Sequence, residues 1–281
     1  MTLYGEKQTQ KGFSLMSLLV AVAIGLFLIG AVIKIYLDSK NSFSTRNVVA
    51  EVSENTRFAL DDMRRILVMA GRGVRAIEDQ FSTRRPFPEI NASGIVDGGS
   101  SGSDTIAIRY RRGPSCGAYQ NVSTSERPSM VRFYVTDNSG DGSADDLVCE
   151  LTTYSGGGST TVTRTLISGV QKLKALYGVD DDADGYADRY LTPSQIGTAS
   201  SPVISVPPGA NTPWAKVVSI RIGLMIGSES TLPASVGHQI PAGGNLNVLG
   251  LSISKPDTDR LYRVTTTTLA LRNLNPVIQR Q

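Results

Sequence analysis

Alternating carboxylates are the residues of this chain best placed to do chemistry. Asp180-Asp181-Asp182-Ala183-Asp184-Gly185-Tyr186-Ala187-Asp188 puts Asp at positions one, three, five and nine of a short frame. Carboxylates so spaced converge on one hard cation, and a glycine at position six permits the sharp turn. Ca²⁺ is therefore the expected cofactor, with Asp180, Asp182, Asp184 and Asp188 as its ligands. Position twelve is Leu191, where a complete EF-hand carries Glu, so the frame is partial. Asp137-Asn138-Ser139-Gly140-Asp141-Gly142-Ser143-Ala144-Asp145 repeats the frame with Ser at position three, and offers Asp137, Asp141 and Asp145 as a poorer second set. The plain alternative for both segments is an Asp/Gly-rich turn between strands.

Signs of catalysis are missing. There is no G-x-S-x-G, no H-E-x-x-H and no P-loop lysine. The single histidine, His238, stands in a loop-like Gly-His-Gln-Ile-Pro context. The net charge of +3 is small, and Lys and Arg are scattered, so no nucleic-acid partner is expected. The reading is of a protein that is not an enzyme.

The elements that must position these loops begin with a helix. No charge falls from Phe13 to Ile33, a run of about 21 residues that spans a ~30 Å bilayer core at ~1.5 Å per residue. Val52, Thr56, Ala59, Met63, Ile66 and Ala70 then recur at alternating spacings of four and three, with Leu60 and Leu67 widening the stripe. Gly71-Arg72-Gly73 supplies a stop. One helix is expected over 13–70, with 13–33 as its transmembrane half and a β-rich head over 71–281. Its apolar stripe packs on a sheet.

Residues 77–104, with Pro86, Pro88 and the Gly98–Ser103 low-complexity run, read as a linker or surface excursion. Period-two patterns follow at Ile106–Tyr110, Met130–Val135 and Val218–Ile226, the last being the clearest half-buried strand. Further strands are expected at Leu147–Thr152, Thr160–Leu166, Leu173–Tyr177, Leu246–Ile253 and Tyr262–Leu271. Loops are expected at Tyr154–Ser159, Thr192–Pro213 and Gly227–Gly244. A long helix followed by short strands at hairpin spacing predicts an α+β fold with an antiparallel sheet. The leader lysines, Lys7 and Lys11, favour a cytosolic N-terminus and a periplasmic head. Cys116 and Cys149 are the only cysteines, and in that compartment they are expected to form a disulfide worth roughly 3–4 kcal/mol.

The border Lys11-Gly12-Phe13-Ser14-Leu15 resembles the class III signal of type IV prepilins and pseudopilins. That resemblance implies a leader at 1–12, cleavage between Gly12 and Phe13 by a prepilin peptidase, and methylation of the new Phe13 amine. Ser17 departs from the pattern, because the family usually carries Glu at the fifth mature position. Phe58-Ala59-Leu60 through Ile66-Leu67-Val68-Met69-Ala70-Gly71, Tyr177-Gly178-Val179-Asp180 and Arg263-Val264 to Asn273 are similar to segments of the PilW family of minor pilins. Residues 77–170 carry little of this likeness. The resemblance implies a type IV pilin-like fold and a minor pilin that primes pilus assembly at or near the tip. Implied partners are other minor pilins, the major pilin and a tip adhesin. The chain is expected in the inner membrane before assembly and in the pilus afterwards. The rivals are a minor pseudopilin of a type II secretion system, a membrane-anchored periplasmic enzyme and a DNA-uptake pilin.

Overall fold

The computed structural model describes residues 14–74, 85–117, 128–136, 146–155, 158–233 and 244–274. The chain forms two compact units, Met1–Asn47 and Val48–Gln281. Helix α1, Leu15–Leu67, runs through the end of the first into the start of the second.

In the first unit α1 carries no charge from Leu15 to Ile33. Its most apolar window has a mean hydropathy of 2.8 with no residue buried, so it is long and apolar enough to cross a membrane. Leu15, Phe27 and Ile35 are each more than two-thirds exposed.

In the second unit the same helix buries one face. Val48, Val52, Thr56, Ala59, Met63, Ile66 and Leu67 are buried, as the four–three spacing predicts. The buried Thr56 hydroxyl donates to the Val52 carbonyl at 2.6 Å, which satisfies it inside the helix. The chain turns away through Gly71, whose φ of +75° suits glycine. A Cβ there would also lie 2.2 Å from Leu274 Cδ2. Asn273 Nδ2 donates to the free Val68 carbonyl at 2.9 Å, so the C-terminal end of the described chain caps the helix.

Two four-stranded sheets share one core with this helix face. The first has the order β1 (Ile106–Tyr110), β2 (Ser129–Thr136), β3 (Asp146–Ser155), β4 (Gly158–Ile167). The second has the order β10 (Tyr262–Ala270), β7 (Val217–Gly227), β5 (Val170–Val179), β6 (Arg189–Leu191). A hairpin of β8 (Asn245–Val248) and β9 (Leu251–Ser254) stands apart from both. Every named strand pair is antiparallel. The α+β class with a long N-terminal helix and antiparallel sheets is as expected. Phe133, Cys149 and Leu151 of the first sheet and Leu173, Tyr177, Ile222 and Leu224 of the second meet Met63 and Ile66 in the core.

Several expectations are corrected. β7 is not half-buried: every residue but Arg221 is buried. One face joins the main core through Ile220, Ile222, Leu224 and Ile226. On the other face Met225 packs with Val248 and Ile253 of the β8–β9 hairpin. Gly223 allows that approach, since a Cβ there would meet Val248 and Leu249 at 2.8 Å. Leu246–Ile253, expected as one strand, is this hairpin, turned at Leu249 and Gly250 with φ of +53° and +90°.

The described part of 77–104 is more than a linker. Phe87 and Ile95 are buried in the core. Asp104 and Lys174 form a buried ion pair at 3.0 Å, and Asp104 also accepts from the Gly98 and Ala175 amides. The Gly/Ser run is thereby tied along the edge of β5, where the Asp104 amide also donates to the Leu173 carbonyl at 2.8 Å. Desolvation pushes the Asp104 carboxyl above its ordinary value despite these partners. Within the loop expected at Tyr154–Ser159, Tyr154 and Ser155 end β3 and Gly158 and Ser159 begin β4, while 156 and 157 lie outside the described residues. Thr192–Pro213 contains a short helix, α2 (Pro193–Ile196), started by a Thr192–Gln195 capping box.

Candidate functional site

The acidic loop 180–188 joins β5 to β6. Its two ends are pinned by backbone bonds, Asp180 N to the Lys216 carbonyl and Asp188 N to the Val179 carbonyl, both 2.9 Å. Asp180 is buried, and its carboxylate accepts the Ala183 amide at 2.6 Å and the Gly185 amide at 2.8 Å. The two donors sit where the backbone turns left-handed, with φ of +65° at Ala183 and +92° at Gly185. Asp188 accepts the Asp181 amide at 2.7 Å and Asp182 the Asp184 amide at 3.2 Å. This folding brings oxygens of Asp180, Asp182 and Asp188 within 4.8 Å of one another, an arrangement that could hold a metal ion. Asp184, the fourth expected ligand, lies outside that trio and accepts the Tyr186 amide at 2.7 Å.

Asp181, which the spacing did not single out, has a different role. It pairs with Arg189 at 2.8 Å and Lys216 at 3.2 Å. Slight burial pushes its carboxyl up, but hydrogen bonds from Lys216 and Arg189 outweigh this and hold it below the usual carboxylate range. The pairing couples the loop to the start of β7. No local sequence signal marks it, because Lys216 is 35 positions away.

Beneath the loop Phe87, Tyr177 and Trp214 form an aromatic cluster, with Tyr177 and Trp214 edge to face at 4.8 Å. Trp214 Nε1 donates to the Gly197 carbonyl at 2.8 Å. The Tyr177 hydroxyl is buried with no hydrogen-bond partner among the described residues, and desolvation pushes its ionisation far above the ordinary phenol value. Asp180 to Ala183 also form one wall of a cavity of about 870 Å³ whose other walls include Pro207, Pro208 and Trp214.

Cys116 and Cys149 are joined, with Cα atoms 5.6 Å apart. The bond ties the segment after β1 to the centre of the first sheet, where Cys149 faces Phe133 on β2 and Arg164 on β4. Gly12, Phe13, Asp137, Asp141, Asp145 and His238 lie outside the described residues. Ser17 is described: its hydroxyl donates to the Ser14 carbonyl at 2.7 Å.

The model of the PilW family, type IV pilus-assembly protein W, matches residues 132–273. The chain belongs to the PilW family. The match runs from β2 to the segment that caps α1, and it contains the acidic loop, β7 and the Arg263–Asn273 strand segment. The PilW likeness quoted for Phe58–Gly71 lies outside it, whereas 132–170, where little likeness was expected, lies inside. A type IV-like pilin from Thermus thermophilus, TTHA1219, aligns with 79% of this chain and 97% of its own length, at 12% identity and a TM-score of 0.44, too slight a likeness to carry an argument. No curated protein sequence matches the chain. Membership of a pilus-assembly family implies association with other pilus components.

Proposed function

We propose that this chain is a minor pilin that primes type IV pilus assembly and is incorporated at or near the pilus tip. The observation that carries the reading is a PilW-family head on a chain whose N-terminal helix is uncharged and unburied over its most apolar window. Such a helix first dissolves in a bilayer and then packs among the helices of neighbouring subunits. Heterologous contacts that do not close generate a helical filament. The work is assembly rather than catalysis. The inner membrane holds the chain by its single apolar span, with the head in the periplasm.

Ser17 supports a place at a filament end. Its hydroxyl is spent on its own helix, and it brings no carboxylate where the resembled family usually carries Glu. Processing belongs to the same proposal: cleavage between Gly12 and Phe13, and methylation of Phe13. Mass spectrometry of sheared pili tests it. A methylated peptide beginning at Phe13, at a small fraction of the major pilin, is the expected result. Recovery of chain beginning at Met1, or loss of protein secretion rather than of pili on deletion, overturns it in favour of an uncleaved anchor or a secretion pseudopilin.

Ca²⁺ binding by Asp180, Asp182 and Asp188 is the cofactor part of this reading, and it rests on their convergence. A cation bound only by the folded loop stabilises it by RT ln(1 + [L]/Kd), and extracellular sites of this kind load at ~10⁻⁴–10⁻³ M. Thermal unfolding of the full chain in detergent should shift upward with millimolar CaCl₂ relative to EGTA. Asp182→Ala should abolish the shift. Equal melting temperatures for the wild type leave plain acidic turns.

A further inference from the structure

The two sheets have four outer strands, and three of them are protected. β1 is buried at every position. β6 is three residues long. β10 is bordered by α1: Arg263 reaches the Ser53 hydroxyl at 3.2 Å, and Thr268 to Ala270 line one cleft with Asp61, Arg64 and Arg65. β4 is different. It has ten residues and is exposed from Gly158 to Thr165. It contains no proline and one charge, Arg164. Its pairing with β3 is regular from Ser155–Gly158 to Val148–Thr165, and the only irregularity lies at the far end. Natural sheets blunt their edges by shortness, proline, repeated charge, bulges or cover, because an open edge is a template for another strand. β4 has almost none of these devices.

The side chains point the same way. Val162 stands opposite Leu151, on the face that enters the core, yet it is 43% exposed. Among the described residues, the core-side surface of the first sheet therefore continues past the last segment that covers it. Thr161, Thr163 and Thr165 occupy the other face, with Thr161 and Thr152 hydroxyls in contact at 3.1 Å. Exposed β-branched side chains on both faces favour extended neighbours.

We propose that the β4 edge receives an extended strand from a different pilus subunit, which adds to the first sheet as its fifth strand. The open row of backbone donors and acceptors specifies the occupant as extended polypeptide, since a helix has spent its own. The partner strand carries an aliphatic residue beside Val162 and an acidic or neutral one beside Arg164. A Lys- or Arg-rich strand is disfavoured by like charge. The inference rests on the pilus-subunit reading above and adds the surface and the binding mode.

The test uses the full chain in cells that assemble pili. The photo-crosslinking residue p-benzoylphenylalanine replaces Thr161 or Thr163, with Val203, exposed on a distant loop, as the control position. After irradiation, adducts from sheared pili are mapped by mass spectrometry. The expected result is an adduct from β4, not from Val203, to an extended segment of one other pilus subunit. A Thr161→Lys, Thr163→Lys variant should leave the pilus fraction while its purified form melts at the wild-type temperature. Wild-type chain present in pili with no β4 adduct overturns the inference alone, as does an adduct only to a helix or to a second copy of this chain. Wild-type chain absent from pili overturns the pilus reading and this inference with it.

Discussion

β7 and β4 are nearly equal in length, Val217–Gly227 and Gly158–Ile167, and they lie at opposite extremes of burial. One is covered on both faces and the other on neither over most of its length. The alternating sequence of β7 would suit a sheet with one wet face. β7 is central, between β10 and β5. Its second face carries the β8–β9 hairpin over Met225, and beside it on β5 Lys174, opposite Gly223, is held by Asp104 of the 98–104 strap. β4 is an edge, and no described segment of this chain arrives there. Burial of a strand's second face is thus decided by what the rest of the chain brings to it.

That comparison can be broken at the strap first. Asp104→Ala would leave the Lys174 ammonium buried beside β7 without its partner, and breaking such a pair costs about 3–5 kcal/mol. Urea unfolding of the full chain in detergent should show the loss, and a change below about 1 kcal/mol would mean the strap is dispensable to the second face. Gly223→Val attacks the hairpin side. Its side chain would collide with Val248 and Leu249, and overpacking of this kind costs roughly 1–3 kcal/mol. The same unfolding curve reads it.

A pH profile sharpens the strap's role with a smaller effect. Partial burial pushes Asp97 up, but hydrogen bonds from Ser194 and the Gly99 amide prevail and hold its carboxyl below the ordinary value. Its contribution is therefore present above the unfolded value near 3.8 and is lost as pH falls through the lower folded value. Asp97→Asn should flatten the stability profile in that acid window and leave its slope at pH 7 unchanged. The smallest effect belongs to β4. Thr163→Ala should change stability by less than about 0.5 kcal/mol, because its side chain is exposed. A larger loss in the isolated chain would mean that β4 is covered after all.

Much of the fold was legible because it rests on local periodicity. The stripe from Val52 to Ala70 is the buried face of α1, since a 3.6-residue repeat fixes which side chains share a side whatever they pack against. The strands at 106–110 and 130–135 were legible for the same reason. The sequence of the β8–β9 hairpin reads as one strand because its turn residues, Leu249-Gly250, carry weak turn chemistry and Leu249 adopts a positive φ that the sequence does not advertise. At the acidic loop the spacing foretold convergence, and Asp180, Asp182 and Asp188 do converge. It did not foretell that Asp184 would serve the Tyr186 amide or that Asp181 would reach Lys216.

The sequence by itself determined the uncharged apolar helix, the amphipathic continuation, the alternation of each long strand and the pair of cysteines. Each follows from residue type and spacing within one element, where backbone geometry sets the period. Only the tertiary structure decided that Asp104 pairs with a buried Lys174, that β7 is closed on both faces and that β4 is left open among the described residues. These depend on which distant segments meet. Such meetings are chosen by the sum of many weak contacts across one shared core, and no local pattern carries that sum.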